Sequence, residues 1–243
     1  MITDFEKLSP ELTDSAYVNC DCMDGMRLFP DKYFDLAIVD PPYGIGVGAM
    51  SYTNGVQIVT NALAKRKDYS GHQDWDNEPP QKAYFDELFR VSKRQIIWGG
   101  NYFTDKLKPT KSWIVWDKRI DEKMSNDFAD CELAWASTGV ARVFRYLWSG
   151  MLQGDMKHKE QRIHPTQKPV ALYEWLLSKY AKPGDIILDT HVGSASSLIA
   201  CHKTRHRFIG FEMDRVYFEQ SLERLNEEMA QMTIYDFFGG DDE

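Results

Sequence analysis

The sequence is short of the features that mark a secreted, membrane-spanning or broadly cationic protein. It has four cysteines, Cys20, Cys22, Cys131 and Cys201, and no two have the C-x-x-C spacing of a zinc or redox site. Reduced thiols in a cytoplasmic protein are the expectation. No apolar run reaches the roughly 20 residues that cross a bilayer, and the acidic, proline-containing N-terminus is unlike a secretory leader. Positive charge is in deficit: 29 Lys and Arg stand against 37 Asp and Glu, a net charge of -8. That excludes nucleic-acid binding by bulk charge and leaves only a local basic face for it. Repeats and low-complexity segments are missing too, apart from an acidic tail, Asp241-Asp242-Glu243.

What is present is an ordinary core composition, 43% hydrophobic, in strands that alternate with helices. Residues 16–22 and 34–39 read as strands, the second a continuous apolar run suited to a sheet covered on both faces. A short helix is expected over 23–28 and a longer one over 81–93. Residues 94–98 form a strand ending in Gly99-Gly100-Asn101. Three tryptophan-bearing strands follow at 112–116, 132–136 and 143–148, then a polar loop over 149–163. The closing order is helix 170–180, strand 186–188, helix 194–202, strand 207–211, and a helix capped by Asp214 that reaches about Met232. Such alternation predicts a single α/β domain over 1–243 with a mostly parallel, doubly wound sheet. Irregular segments at about 44–76 and 117–163 interrupt it as insertions.

Two segments carry chemistry. Asp189 to Ser196 is strand, tight turn and helix start. Gly193, Ser194, Ala195 and Ser196 are small enough for a ligand to approach the backbone, and a helix N-terminus favours an anion. Glu212 lies nineteen residues after Gly193 at the end of the next strand, placed to accept the ribose hydroxyls of a nucleoside. An ordinary strand-to-helix turn beside a surface glutamate competes with this reading. With one glycine and one alanine, the turn suits S-adenosylmethionine, which has no pyrophosphate, better than a dinucleotide.

The second segment, Asp40-Pro41-Pro42-Tyr43, follows the buried strand directly, where open α/β sheets place active sites. An aromatic amine is a poor nucleophile because its lone pair is delocalised. The Asp40 carboxylate and the Pro41 carbonyl can each accept one amino hydrogen and draw the nitrogen toward tetrahedral geometry. Pro41 and Pro42 hold that carbonyl in place, and Tyr43 offers a flat face for an extruded base. Such a methyl transfer needs no metal, and a rigid turn closing a strand is the bland alternative.

In this order the motifs resemble the β group of permuted DNA amino-methyltransferases, whose catalytic motif precedes the cofactor motif. The resemblance runs from Val18 to about Arg224 and includes His164-Pro165-Thr166-Gln167-Lys168-Pro169. It implies the Rossmann-like fold of S-adenosylmethionine-dependent methyltransferases. It implies too that Asp21, with Cys22 beside it, meets the cofactor's adenine and that Thr166 and Lys168 close over its methionine end. Asp189, Gly193, Ser194 and Glu212 then form the cofactor loop, and Asp40 borders both subsites. Double-stranded DNA with a flipped target base is the implied substrate, in a bacterial or phage-infected cell, with a homodimer as one assembly. Aspartate at the head of the tetrapeptide is more typical of adenine-specific members. Cytosine-N4 methylation, an RNA or protein-glutamine substrate, and a degenerate DNA-binding methylase stay as alternatives. The last is motivated by Thr190, His191 and Ala195, which stand where the family commonly has Pro, Phe and Gly. The Cβ of Ala195 is expected to crowd the cofactor or force another backbone angle.

Lys65-Arg66-Lys67 and the basic residues between Arg142 and Lys168 are candidate phosphate contacts. Asn101 or Tyr102 could line the base pocket. Gly44 to Gly48 reads as a hinge, and His202 with His206 as a poor metal pair.

Overall fold

The computed structural model describes residues 1–46, 76, 78–119, 129–149 and 152–238, with side chains to 231. In chain order its elements are β1 (Ala16–Asn19), α1 (Cys22–Arg27), β2 (Leu36–Val39), α2 (Lys82–Val91), β3 (Gln95–Trp98), β4 (Trp113–Asp117), β5 (Cys131–Ala136) and β6 (Arg142–Arg145). There follow β7 (Trp148–Ser149), β8 (Leu152–Gln153), α3 (Val170–Tyr180), β9 (Ile186–Asp189), α4 (Ser196–Lys203), β10 (Arg207–Glu212) and α5 (Arg215–Phe238). Eight strands form one sheet in the order β1-β10-β9-β2-β3-β5-β4-β6, and β7 pairs with β8 apart from it. The first five of that order are mutually parallel. Beyond β3 the sheet turns mixed, with β5 antiparallel to both neighbours and β6 parallel to β4. This is the doubly wound, mostly parallel, Rossmann-like fold that the alternation predicts.

Side chains alternate across each strand and so divide into two cores. Leu36 and Ile38 join Ile96, Trp98 and Ile187 on the face covered by α3, α4 and α5. Ala37 and Val39 join Ile97, Leu188 and Ile209 on the face covered by α1 and α2. A strand buried on both faces is apolar throughout, which is why residues 36–39 read as they do.

Some boundaries differ from the sequence-based ones, each for a local reason. β1 stops at Asn19 because the Asp21 carboxylate accepts from the Met23 amide (2.7 Å) and starts α1 early. Phe34 stands outside β2, in an isolated bridge with Ser92. The strand expected over 143–148 divides, because the buried Trp148 turns its indole N–H onto the Gln167 carbonyl (2.8 Å). Its partner β8 lies in the expected loop. α4 begins at Ser196 after a left-handed Ala195, and α5 runs beyond Met232 to Phe238. No described helix is long and apolar enough to cross a membrane. The Lys65-Arg66-Lys67 run, most of the first insertion and residues 120–128 of the second lie outside the described residues.

The winding locates a crevice. β9 leads through α4 to β10 on one side, while β2 leads through α2 to β3 on the other. Between β9 and β2 the connections therefore diverge onto opposite faces, opening a gap at the strands' carboxyl ends. Ile38, 1% exposed in the middle of β2, supports that edge. Ile38→Ala is expected to cost about 3 kcal/mol by transfer and cavity terms, measured by urea unfolding.

Candidate active site

Five parallel strands end side by side, and each is followed by residues of chemical interest. Across the sheet these are Asp21 after β1, Glu212 closing β10, Asp189 closing β9, Asp40 after β2 and Gly99 after β3.

Asp40 and Tyr43 form a compact turn in which the Tyr43 hydroxyl donates to Asp40 Oδ1 (2.6 Å). The turn is tied down by Asp76, 2% exposed, whose Oδ1 accepts from the amides of Tyr43 (2.7 Å) and Gly44 (2.9 Å). Gly44 and Gly46 both have positive φ, +73° and +69°. The expected hinge thus begins as two left-handed residues, and its remainder lies outside the described residues. Gly99 has φ +67° and lies against the Tyr43 ring, where a Cβ would collide. That ring stacks on Tyr102, with centroids 5.0 Å apart and an 18° interplanar angle. Tyr102 is itself 45% exposed, so it presents the open aromatic surface expected of Tyr43.

Lys168, 4% exposed, is pulled inward from the loop before α3. Its Nζ lies 2.5 Å from Asp40 Oδ2 and 3.3 Å from the Tyr43 oxygen. It also lies 3.1 Å from Glu132 Oε2, and Lys118 Nζ meets Glu132 Oε1 at the same distance. Burial raises the pKa of Asp40, the Lys168 charge pulls it down, and the net displacement is upward. Lys168 is raised: burial disfavours its charge, but the two carboxylates more than offset that. Glu132 is held low by Lys168 and Lys118 despite its burial. Lys168 therefore belongs with the Asp40–Tyr43 turn and is withdrawn from the basic stretch in which the sequence places it.

On the β9–β10 side, the Asp189 carboxylate accepts from the His191 amide (3.0 Å) and from the Ser197 hydroxyl. Glu212 accepts from the Gly193 amide (2.8 Å) and the Asp214 amide (2.9 Å). Burial lifts both carboxyls to about 7. Thr190 shares its hydroxyl between Tyr84 (2.7 Å) and His191 (2.9 Å), and burial lowers His191 to about 4. Asp21 and Cys22 open α1 at the far rim, Asp21 exposed and Cys22 half-buried. Burial pushes the Cys22 thiol up to about 12, which keeps it an unreactive thiol.

The turn at 193–196 is built differently from the expectation. Ala195 takes φ 60°, ψ 17°, the conformation that a glycine would adopt, and is fully buried. A side chain in this left-handed conformation adds strain. Ser194 and Ser196 bond to each other (3.1 Å). Arg224 from α5 donates to the Ser194 carbonyl (2.6 Å) and to the Ser196 hydroxyl (3.0 Å). Its other nitrogen pairs with Glu160 (2.6 Å), whose second oxygen accepts from the Val170 amide (2.9 Å). These serine side chains thus brace the turn from behind. Thr166 bonds to His164 Nδ1 (3.1 Å), and the His164 ring lies under Gly193 at 3.8 Å from where a Cβ would stand.

Asp40 to Tyr43 with Lys168, and Asp189, Gly193 and Glu212, thus gather at the two sides of the crevice. Glu132, Lys118, Asp76, Arg224 and Glu160 were not singled out by sequence, since each acts on residues far away in the chain. His202 and His206 form no metal site, and no other His, Cys, Asp and Glu cluster among the described residues could hold an ion.

Comparison with known proteins gives a consistent answer. A family model described as DNA methylase matches residues 101–223, just over half of the chain. The type II methyltransferase M.HpaI of Haemophilus parainfluenzae is 39% identical over 71 residues, 29% of this chain and 23% of that relative's length. The type II methyltransferase M2.MboI of Moraxella bovis is 23% identical over 233 residues, 85% of either chain. Among solved structures, the cytosine-N4-specific PvuII DNA methyltransferase shares the fold with a TM-score of 0.56 at 14% identity, over 94% of this chain and 96% of that one.

Relieving the left-handed alanine, Ala195→Gly is expected to stabilise the protein by about 1 kcal/mol, read from chemical denaturation. Glu212 gives a pH signature. Its folded pKa of about 7 lies above the unfolded 4.5, so the folded state holds the extra proton. Stability from this group is present below 4.5 and is lost as pH rises through 7. Across that window Glu212→Gln is expected to lose less unfolding free energy than the parent in a urea series.

Proposed function

This chain belongs to the DNA methylase family of N6/N4 amino-methyltransferases, which use S-adenosylmethionine, and on that premise we propose that it methylates the N6 amino group of adenine in double-stranded DNA. The observation that carries the reading is the crevice between β2 and β9, with Asp40 and Pro41 on one wall and Asp189, Gly193 and Glu212 on the other.

The cofactor wall fits the donor. Asp189 is buried and Glu212 half-buried, and both carboxyls are raised to about 7, a state that added hydrogen-bond donors such as ribose hydroxyls relieve. Gly193, with φ 56°, leaves the backbone open there. S-adenosylmethionine, when bound, supplies an electrophilic methyl on a sulfonium. Everything else falls to the chain. Asp40 and the Pro41 carbonyl accept the two amino hydrogens, which localises the lone pair on nitrogen. Two prolines keep that carbonyl aimed before substrate arrives. The Asp40 carboxylate also offsets the positive charge that grows on the nitrogen. Tyr102 stacked on Tyr43 supplies the aromatic surface for a base flipped out of the duplex.

DNA is held at a local basic face. Arg142, Arg145, Lys157 and Lys159 are exposed on β6 and the loop after β8, while Arg162 lies over the Trp148 ring (4.5 Å) and braces that loop. We assign DNA recognition to the first insertion and to the parts of the second outside β5 and β6, which are members of the main sheet, within one catalytic domain. Adenine is favoured over cytosine by the aspartate heading the tetrapeptide.

The deciding experiment is transfer of labelled methyl from S-adenosylmethionine to mixed genomic DNA, followed by nucleoside mass spectrometry. N6-methyladenine is the expected product, and Asp40→Ala is expected to lower the rate by at least about a thousandfold. N4-methylcytosine would overturn the base assignment, and an undiminished Asp40→Ala would overturn the catalytic one.

A further inference from the structure

Asp40 does not stand alone beneath the crevice. It is the end of a chain of charges that runs Lys118, Glu132, Lys168, Asp40, with contacts of 3.1, 3.1 and 2.5 Å. Tyr43 closes it through its hydroxyl. The members come from β4's end, β5, the loop before α3 and the turn after β2, so no local sequence requirement explains their meeting. Lys168 has a side-chain exposure of 3%, against 19% for Asp40 and 27% for Glu132. A cation so buried is costly unless paired on all sides.

We propose that Glu132 is a positioning residue for methyl transfer, holding Lys168 so that the ammonium steadies Asp40 without monopolising it. This rests on Asp40 being the group that receives the target amine. The physical reason lies in the charge that moves. As the methyl passes to nitrogen, its C–S bond breaks with the electron pair left on sulfur, and the nitrogen lone pair forms the new N–C bond. Positive charge therefore builds beside Asp40, whose carboxylate is the nearest counter-charge until the surplus amino proton leaves to water. Lys168 alone would draw on that same carboxylate and repel the growing cation. With Glu132 on its other side, the ammonium divides its attraction between two carboxylates, and Asp40 keeps capacity for the substrate. Lys118 completes the arrangement by neutralising Glu132 from behind. Two cations and two anions then sum to zero, which a dry interior requires.

The groups that face Asp40 define what a pH profile will report. They are Tyr43 on its own turn, Glu132 from β5, Lys168 from the loop before α3, Tyr173 from α3, Tyr84 from α2 and Asp189 from β9. Of the two that bear on Asp40 most strongly from outside its own turn, Glu132 makes it harder to ionise and Lys168 makes it easier. Removing the Glu132 charge while leaving Lys168 in place thus makes Asp40 ionise at lower pH.

The test uses the whole chain with S-adenosylmethionine and genomic DNA free of methylated bases, comparing the parent with Glu132→Gln, Glu132→Asp and Asp40→Ala. Glu132→Gln is expected to lower kcat about tenfold to a hundredfold and to leave KM for the methyl donor within about twofold. Its acid limb of kcat should move to lower pH, and Glu132→Asp should recover most of the rate. A Glu132→Gln enzyme with parental kcat and an unmoved acid limb overturns the proposal. So does one that loses rate with no shift and no recovery in Glu132→Asp, since that is the mark of a merely structural role. If Glu132→Gln does not fold, Glu132→Gln with Lys118→Gln restores charge balance, and parental kcat in that double variant also overturns it. Asp40→Ala separates the two levels: an active Asp40→Ala rejects the catalytic reading itself. An inactive one beside a parental Glu132→Gln rejects only the role of Glu132.

Discussion

Five parallel strands covered on both faces leave nowhere along their length for a charged group. The buried apolar side chains of β1, β10, β9, β2 and β3 feed two apolar cores, and a carboxylate placed among them would be stranded without water or partner. Polar chemistry is therefore confined to the strand ends. Because the strands run the same way, those ends lie on one edge. The crevice between β2 and β9 inherits from this both its location and its lining. The helices on either face pin the strands at fixed spacing, so Asp40 and Glu212 keep their separation without any direct contact.

Within that edge, cohesion passes to ion pairs of unequal worth. Surface pairs such as Lys82 with Asp86, both well exposed, contribute a few tenths of a kcal/mol at most. The pairing of Lys168 with Asp40 and Glu132 belongs to another class. Each ion has given up hydration, and loss of one partner from such a set typically costs about 3–5 kcal/mol. The groups that would activate the amine are thus also structural members of the wall that holds them. Arg224 does similar work on the other wall, where it joins Glu160 to the backbone of the turn at 193–196.

Much of this was readable from the chain because local chemistry announces it. The apolar run of β2 followed by two prolines and a charged residue can be little other than a buried strand that stops abruptly. Asp214 before an amphipathic stretch declares a helix start, and its carboxylate indeed accepts from the amides of Val216 and Tyr217. Glu132 was illegible: a carboxylate in a strand near the sheet edge reads as solvent-facing, and its partner lies thirty-six residues on. Tyr43 was legible as an aromatic in the turn but not as one already stacked, since Tyr102 reaches it only through β3. Ala195 was legible as a departure in a turn of small residues, but not as a left-handed residue, because that conformation is set by the turn and not by the side chain.

The distance along the chain between interacting parts carries a kinetic meaning. Ala16 to Asn19 pair with Ile209 to Glu212, and Asp40 meets Lys168 across 128 residues. Loops of this length are slow to close, and parallel pairing defers its reward until both ends are in place. During synthesis, β1 has only its bridge to Ile2 until β10 has left the ribosome. The two walls of the crevice come together only at that late stage. A chain that still lacks β9 and β10 can hold only the wall that carries Asp40, and completion of the crevice coincides with closure of the sheet.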